Sequence, residues 1–97
     1  MPQYVVTAQD GTDADALARR MAARPAHLEN VKPMVADGRL IVGGALLDDA
    51  GQMIGSVCIV DFPDRAALDH WLATDPYVTG KVWQTIEVKP FRMAVKS

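Results

Sequence analysis

Three side chains in this 97-residue sequence could take up or release a proton near neutral pH, namely His27, His70 and Cys58. His27 follows Pro25 near a predicted helix start; considered alone, it could accept a proton, but a surface or capping role is the simpler interpretation. His70 lies on the predicted polar side of its helix, which indicates a solvated side chain. Cys58 lies within a predicted strand without a neighbour that would activate a thiolate, so we interpret it as a small buried hydrophobic residue.

A second group of candidates surrounds the Asp75-Pro76 step. Considered alone, Asp75 is most simply the N-cap of a short helix that begins with Pro76. Tyr77 and Trp83 follow closely. Their rings could line a pocket for a flat ligand, or could pack in the core or at a dimer interface. The residue types alone leave both alternatives open.

Three further residues carry groups that could bind or react. Arg24 could pair with an anionic oxygen of a substrate, although solvation at the surface is the simpler expectation. Ser56 is a hairpin hydroxyl with no neighbour that would activate it as a nucleophile. Pro2 would carry a secondary amine if Met1 were removed, as in tautomerase-like enzymes, but an ordinary Met-Pro start is the simpler interpretation.

The elements that must position these side chains begin with a strand and a helix. Residues 3–8 are short, apolar and β-branched, which favours a strand. Thr12 can cap the helix that follows. We predict its buried face from apolar residues at helical spacing: Leu17, Ala18, Met21 and Ala22. Pro25 is expected to break or restart this helix. A second helical stretch then carries the apolar residues Leu28, Val31 and Val35.

The rest of the sequence predicts three more main elements and a short capped turn. They are a hairpin of strands at 39–47 and 54–62, a helix that opens at Pro63-Asp64, the turn at Asp75-Pro76 and a last strand at 82–88. The order is β-α-β-β-α-β, the ferredoxin-like arrangement of an α+β protein. A chain of this length fits a single domain spanning 1–97.

Both faces of the predicted sheet are apolar. The strand segments 4–8, 40–47 and 57–60 do not alternate cleanly between apolar and polar residues. Two helices can cover only one face of a sheet, so the other face needs a partner. A second copy of the sheet is the simplest partner, and we therefore expect a homodimer.

Composition excludes several classes of function. The net charge is −2 and no block of Lys or Arg occurs, which argues against nucleic-acid binding. No apolar run approaches the roughly 20 residues that span a bilayer, and the start MPQYVVTAQD lacks the pattern of a signal peptide. We therefore expect a cytoplasmic protein without a membrane partner. One Cys and two His are too few for a dedicated zinc site, and no phosphate-binding or dinucleotide motif is present, so we expect no metal and no cofactor.

Five short motifs together resemble those of the YciI-like (YCII-related) proteins. They are RPAHL at 24–28, GRL at 38–40, GGALLDDAGQMIGS at 43–56, DPY at 75–77 and VKPF at 88–91. Each motif alone is weak, but their order and spacing extend the resemblance from Tyr4 to about Phe91. The family often has Gly-Pro where this chain has Gly44-Ala45, which slightly reshapes the expected pocket wall.

The resemblance implies a ferredoxin-like fold that dimerises into an α+β barrel, with a His–Asp pair at the active site that His27 and Asp75 match. One known activity of the family is dehydrochlorination of a chlorinated hydroxyhydroquinone; similar barrels serve muconolactone isomerases and cofactor-free monooxygenases. A carboxylate bonded to one imidazole nitrogen fixes the tautomer and leaves the other nitrogen free to take a proton. We place the substrate against four further residues: Arg24, Ser56, Tyr77 and Trp83.

The leading hypothesis is therefore a small cofactor-independent enzyme of aromatic degradation. It would act on a hydroxylated or chlorinated ring compound by elimination of chloride or by isomerisation, with His27 as general base. The alternative is a non-catalytic small-molecule-binding or accessory module, which the same fold and pocket would serve. Turnover distinguishes the two, because binding without proton transfer leaves the ligand unchanged.

Overall fold

The computed structural model describes residues 2–96, which form one four-stranded antiparallel sheet and three helices. The elements are β1 (Gln3–Asp10), α1 (Ala16–Ala36), β2 (Leu40–Leu47), β3 (Met53–Asp61), α2 (Arg65–Thr74), α3 (Pro76–Thr79) and β4 (Trp83–Phe91). The strand order is β2-β3-β1-β4. This is the ferredoxin-like α+β fold, so the predicted fold class is confirmed. Met1 lies outside the described residues. The hypothesis that Pro2 has a free amine depends on removal of Met1 and stays a prediction.

The first helix is longer and more regular than predicted. α1 runs for 21 residues with Pro25 and Pro33 inside it, so the expected break at Pro25 is wrong. Both prolines are exposed, which places their rings on the outer side of the helix. A proline in a helix interior costs about 3 kcal/mol, but most of the stability of a helix in a protein comes from tertiary packing of its inner face. Here that packing outweighs the two prolines.

The start of α1 also differs from the prediction. Asp15, not Thr12, occupies the N-cap position, and its side chain makes no capping hydrogen bond. Asp13 instead accepts two hydrogen bonds from Arg19, at 2.8 and 2.9 Å. This hydrogen-bonded guanidinium lowers the pKa of Asp13 to about 2. The loop before α1 is therefore held by an ion pair rather than by a threonine cap.

The buried face of α1 is not the predicted one. Ala18, Met21 and Ala22 are exposed, whereas the buried residues of the helix are Ala16, Arg20, Val31 and Met34. Of the second predicted set, Val31 is buried, but Leu28 and Val35 are exposed. The prediction assumed that only apolar residues point inward. An arginine breaks this rule when its charge is paired, and Arg20 is paired with Asp10.

The core lies between the helices and one face of the sheet. Its side chains come from the middle strands and from the inner faces of α1, α2 and α3, and include Val6, Val60, Met34, Leu68 and Tyr77. In β1 and β3 every second residue faces this core, because Val6 pairs with Cys58 and Ala8 with Ser56 in the antiparallel register. The register therefore turns Ser56 and Cys58 toward α1.

The opposite face of the sheet is apolar at its centre. Val5 pairs with Ile59, and Val57 lies one step along the same face; all three side chains are half-buried. At the β4 edge of this face, Glu87 and Lys89 form an exposed ion pair at 3.0 Å. Among residues 2–96 no helix packs on this face, and the expected homodimer stays a prediction. No helix of the described chain is long and apolar enough to cross a membrane.

Candidate functional site

Asp75 lies at the junction of two helices. It is the C-cap of α2 and the N-cap of α3, with Pro76 at the first position of α3. Its Oδ1 atom accepts a hydrogen bond of 2.9 Å from the backbone N–H of Tyr77. This satisfies one of the donors that a helix start leaves free, and Gly80 then ends the short helix. The capping role predicted for Asp75 is confirmed.

The Asp75 carboxylate is fully buried, at 0% exposure. Besides the Tyr77 amide, it accepts hydrogen bonds from His27 Nδ1 at 2.8 Å, Trp71 Nε1 at 3.1 Å and Asn30 Nδ2 at 3.2 Å. An ionised carboxylate only accepts hydrogen bonds, so four donors around its two oxygens suit that form. Burial without such partners would be costly. Protein donors therefore satisfy both oxygens of Asp75 despite its complete burial.

His27 is held against this carboxylate by α1. Its side chain is 13% exposed, and its ring stacks on Tyr77 with centroids 3.8 Å apart and an interplanar angle of 12°. The edge of Trp83 lies beside it, at 5.9 Å between centroids. Because the Asp75 carboxylate accepts from Nδ1, we assign the imidazole proton to Nδ1. Nε2 then keeps its lone pair, as a proton acceptor requires.

A pocket of about 480 Å³ opens beside His27. Four of the predicted site residues line it, and they are Arg24, His27, Ser56 and Tyr77. The rest of the wall is mainly apolar and comes from α1, β2 and β3: Leu28, Val31, Val35, Leu40, Val42, Met53 and Cys58. Asp75 and Trp83 are not on the wall. They lie behind it, where Asp75 contacts His27 and Trp83 contacts Ser56.

Sequence reasoning missed the charged residue at the back of this pocket. Arg20 lines the pocket and is only 3% exposed; its Nη1 lies 3.0 Å from each carboxylate oxygen of Asp10. Its guanidinium carbon lies 4.7 Å from the centroid of the Tyr77 ring. One signal could have found it: Arg20 precedes His27 by seven residues, about two helical turns, so both share a helix face.

Ser56 connects this arginine to the aromatic side of the site. Its Oγ accepts hydrogen bonds from Arg20 Nη2 at 2.9 Å and from Trp83 Nε1 at 3.2 Å. Among the described residues the Tyr77 hydroxyl is not part of this hydrogen-bond network, and burial raises the pKa of Tyr77 above its usual value. The pocket wall thus places a cation, a hydroxyl and an imidazole around one apolar volume.

The remaining candidates lie elsewhere or are inert. Cys58 is a buried free cysteine, as predicted, and burial raises the pKa of its thiol to about 11. His70 is exposed, as predicted, and like Pro2 it is not on the wall of this pocket. Among residues 2–96 no group of three or more His, Cys, Asp or Glu side chains is arranged to hold a metal ion.

Comparison with known proteins identifies the family. A model of the YCII-related domain matches residues 3–92. Protein YciI of Escherichia coli O6:H1 is 37% identical over 95 residues, covering 92% of this chain and 95% of that protein. The 5-chloro-2-hydroxyhydroquinone dehydrochlorinase TftG from Burkholderia phenoliruptrix AC1100, solved in complex with 2,5-dihydroxybenzoquinone, superposes with a TM-score of 0.81 at 21% identity, covering 93% of each chain.

A dimeric ferredoxin-like protein of unknown function from Jannaschia sp. CCS1 matches more loosely, with a TM-score of 0.54 and 18% identity over 96% of this chain and 100% of that chain. At these identities the two structural matches show a shared ferredoxin-like fold. The family assignment depends instead on the domain match and on the Escherichia coli relative. On both grounds, the chain belongs to the YCII-related family.

Proposed function

We propose that this protein is a cofactor-independent enzyme that removes a proton from an oxygenated ring compound, with His27 as general base and Asp75 as its orienting partner. The observation that carries the proposal is the 2.8 Å contact between His27 Nδ1 and Asp75 Oδ1 at the wall of a pocket. The contact fixes the tautomer and stabilises the imidazolium that forms when Nε2 accepts a proton. A positioned general base typically contributes about 10²–10⁴ in rate.

The lining of the pocket supports an anionic or electron-rich ring as ligand. The fully charged side chains among the described residues of the wall are Arg24 and Arg20, the latter already paired with Asp10; both are basic, and no Asp or Glu is among those residues. Guanidinium groups pair well with planar oxygen anions. The apolar side chains of α1 and β2 supply surface for the ring itself. A ligand that combines a flat apolar body with acidic oxygens fits both features.

The relative TftG supports a specific reaction, loss of hydrogen chloride from a chlorinated hydroxyhydroquinone. In the ring tautomer whose chlorine-bearing carbon is tetrahedral, His27 takes a hydroxyl proton. The electron pair of that O–H bond forms a carbonyl, one ring double bond shifts, and the C–Cl pair leaves as chloride. The products are a hydroxyquinone, a proton and a chloride ion. The step needs no external oxidant or reductant. Ring isomerisation would use the same proton transfer without loss of chloride.

The test is to incubate the purified chain with 5-chloro-2-hydroxyhydroquinone and follow chloride release and absorbance together. We expect one chloride per quinone formed, at a rate above the spontaneous reaction. Hydroxylated ring lactones, assayed by absorbance alone, test the isomerase version. If calorimetry shows that these compounds bind but all are recovered unchanged, the enzyme proposal is wrong and the protein is a binding module.

A further inference from the structure

The hydrogen bonds of Ser56 constrain what its hydroxyl can do. A serine oxygen has two lone pairs and one proton. Both recorded partners of Oγ, the Nη2 group of Arg20 and the Nε1 group of Trp83, are N–H donors that accept nothing. Both lone pairs are therefore occupied. Ser56 can make its third hydrogen bond only as a donor.

The proton of this hydroxyl has no recorded acceptor among residues 2–96. Only 5% of Ser56 is exposed, so its hydroxyl is buried. A buried donor that lacks an acceptor costs about 1–3 kcal/mol. The side chain lies on the wall of the pocket that also contains His27. A ligand bound in this pocket could therefore supply the missing acceptor.

The neighbours of Ser56 also make it a strong donor. A hydroxyl that accepts hydrogen bonds is polarised by them and donates more strongly. One of its two donors is a guanidinium cation, which adds charge assistance. Arg20 itself is fixed by Asp10 at 3.0 Å, so the cation cannot swing away. This arrangement holds the Ser56 oxygen in place before any ligand arrives.

We propose that Ser56 recognises the ligand by donating its hydroxyl proton to a carbonyl or anionic ring oxygen. The inference uses the proposed function only for the ring character of the ligand, since the donor role follows from the contacts of Ser56 alone. It assigns Ser56 to substrate selection rather than to nucleophilic attack, because both lone pairs of the oxygen face N–H groups. Ring compounds without an acceptor oxygen are accordingly disfavoured.

The experiment measures the affinities of two probes by isothermal titration calorimetry. 2,5-Dihydroxybenzoquinone offers acceptor oxygens, whereas indole is a flat ring of N–H donor character without one. In Ser56→Cys, which keeps a side chain of similar shape but only a weak donor, we expect quinone affinity to fall roughly 10- to 100-fold, the range of a hydrogen bond with charge assistance. Indole affinity should stay unchanged. Ser56→Thr, which retains the hydroxyl, should retain the preference for the quinone.

Thr12→Ala is the matched control, because it removes an exposed hydroxyl outside this pocket; it should bind both probes like the parent. The proposal is overturned if Ser56→Cys weakens both probes equally, weakens neither, or if the parent prefers indole. These results are separable from the proposed function. A His27→Gln variant that keeps full turnover would refute the general base while leaving the probe preference intact. A parent that binds neither probe would overturn both proposals.

Discussion

At the scale of single residues, one carboxylate has two tasks. Asp75 caps α3 through the Tyr77 amide and also binds the imidazole of His27. The local sequence predicts the first task, because Asp-Pro is a common helix start. The second task depends on a residue 48 positions away, and only the family resemblance pointed to it. The substitutions that follow separate these two tasks.

His27→Gln tests the base directly. Glutamine keeps a polar side chain of moderate size but has no nitrogen that can take a proton at neutral pH. We expect turnover of 5-chloro-2-hydroxyhydroquinone to fall by about 10²–10⁴, measured as kcat from chloride release. His70→Gln is the matched control, since His70 is exposed on α2 and outside the pocket. Equal rates for the two variants would refute the role of His27.

Asp75→Asn tests the orienting partner. Asparagine still caps a helix, but its amide group presents N–H donors to a site that holds four donors already, and it can stabilise the wrong imidazole tautomer. We expect a lower kcat and a lower midpoint of thermal unfolding by circular dichroism. The double variant with His27→Gln should lose little activity beyond the worse single variant, because residues that act as a unit are not additive. Independent losses that multiply would contradict a coupled pair.

Cys58 provides a pH test. Burial raises the pKa of its thiol to about 11 from an ordinary value of 9.0. The folded state therefore holds the thiol proton more tightly than the unfolded state does, and this contribution to stability is present below pH 9 and lost as the pH rises toward 11. We expect native protein at pH 8 to react slowly with iodoacetamide and denatured protein to react fast, as followed by mass spectrometry. Comparable rates in both states would show that the thiol is accessible.

Four of the candidate residues named from the sequence line the pocket: Arg24, His27, Ser56 and Tyr77. Their types alone left other roles open, and the family resemblance placed them at a site. It missed the residues that act through tertiary contacts. Asn30 and Trp71 matter because they donate to Asp75, and Arg20 matters because Asp10 neutralises it in the interior. The Asn30–Asp75 and Arg20–Asp10 pairs join different elements, so no local spacing encodes them, whereas Trp71 and Asp75 form an i,i+4 contact at the end of α2.

At the scale of elements, the sequence signals for the start of α2 and for the β2–β3 hairpin predicted the observed structure. Asp64 caps α2 by accepting from the Ala67 amide at 2.9 Å, and the hairpin predicted for 39–47 and 54–62 forms as β2 and β3. The face of α1 was predicted wrongly, because its inner side carries Arg20 and His27 beside apolar residues. Apolar periodicity finds a buried face only when that face is apolar.

Pro33→Ala tests the cost of a proline within α1. Alanine would restore the N–H that proline lacks and remove the ring from the helix interior, where proline costs about 3 kcal/mol. Because Pro33 is exposed, the change should leave the core intact and raise the free energy of unfolding in urea by about 1–3 kcal/mol. Pro63→Ala, outside the helices, is the control and should change stability less. A destabilised Pro33→Ala would mean that the proline ring makes useful contacts.

At the scale of the whole molecule, the uncovered sheet face predicts self-association. We expect light scattering at micromolar concentration to report about twice the 10.5 kDa chain mass. Ile59→Asp places a charge at the centre of this face, opposite Val5, and should give monomers. Val95→Asp is the control, because Val95 is 89% exposed in the C-terminal segment. A parent that scatters as a monomer would contradict the homodimer.

The donors around Asp75 come from three helices, since His27 and Asn30 belong to α1, Trp71 to α2 and Tyr77 to α3. One carboxylate is thus the common anchor of the helical layer. Opening any one of these helices leaves a buried acceptor with fewer partners, which makes partial opening costly. We expect the backbone amides of α1, of α2 and of the capped start of α3 to be protected from hydrogen exchange. They should lose this protection together, in a single cooperative opening. Local unfolding of the site is then tied to that of the helical layer as a whole.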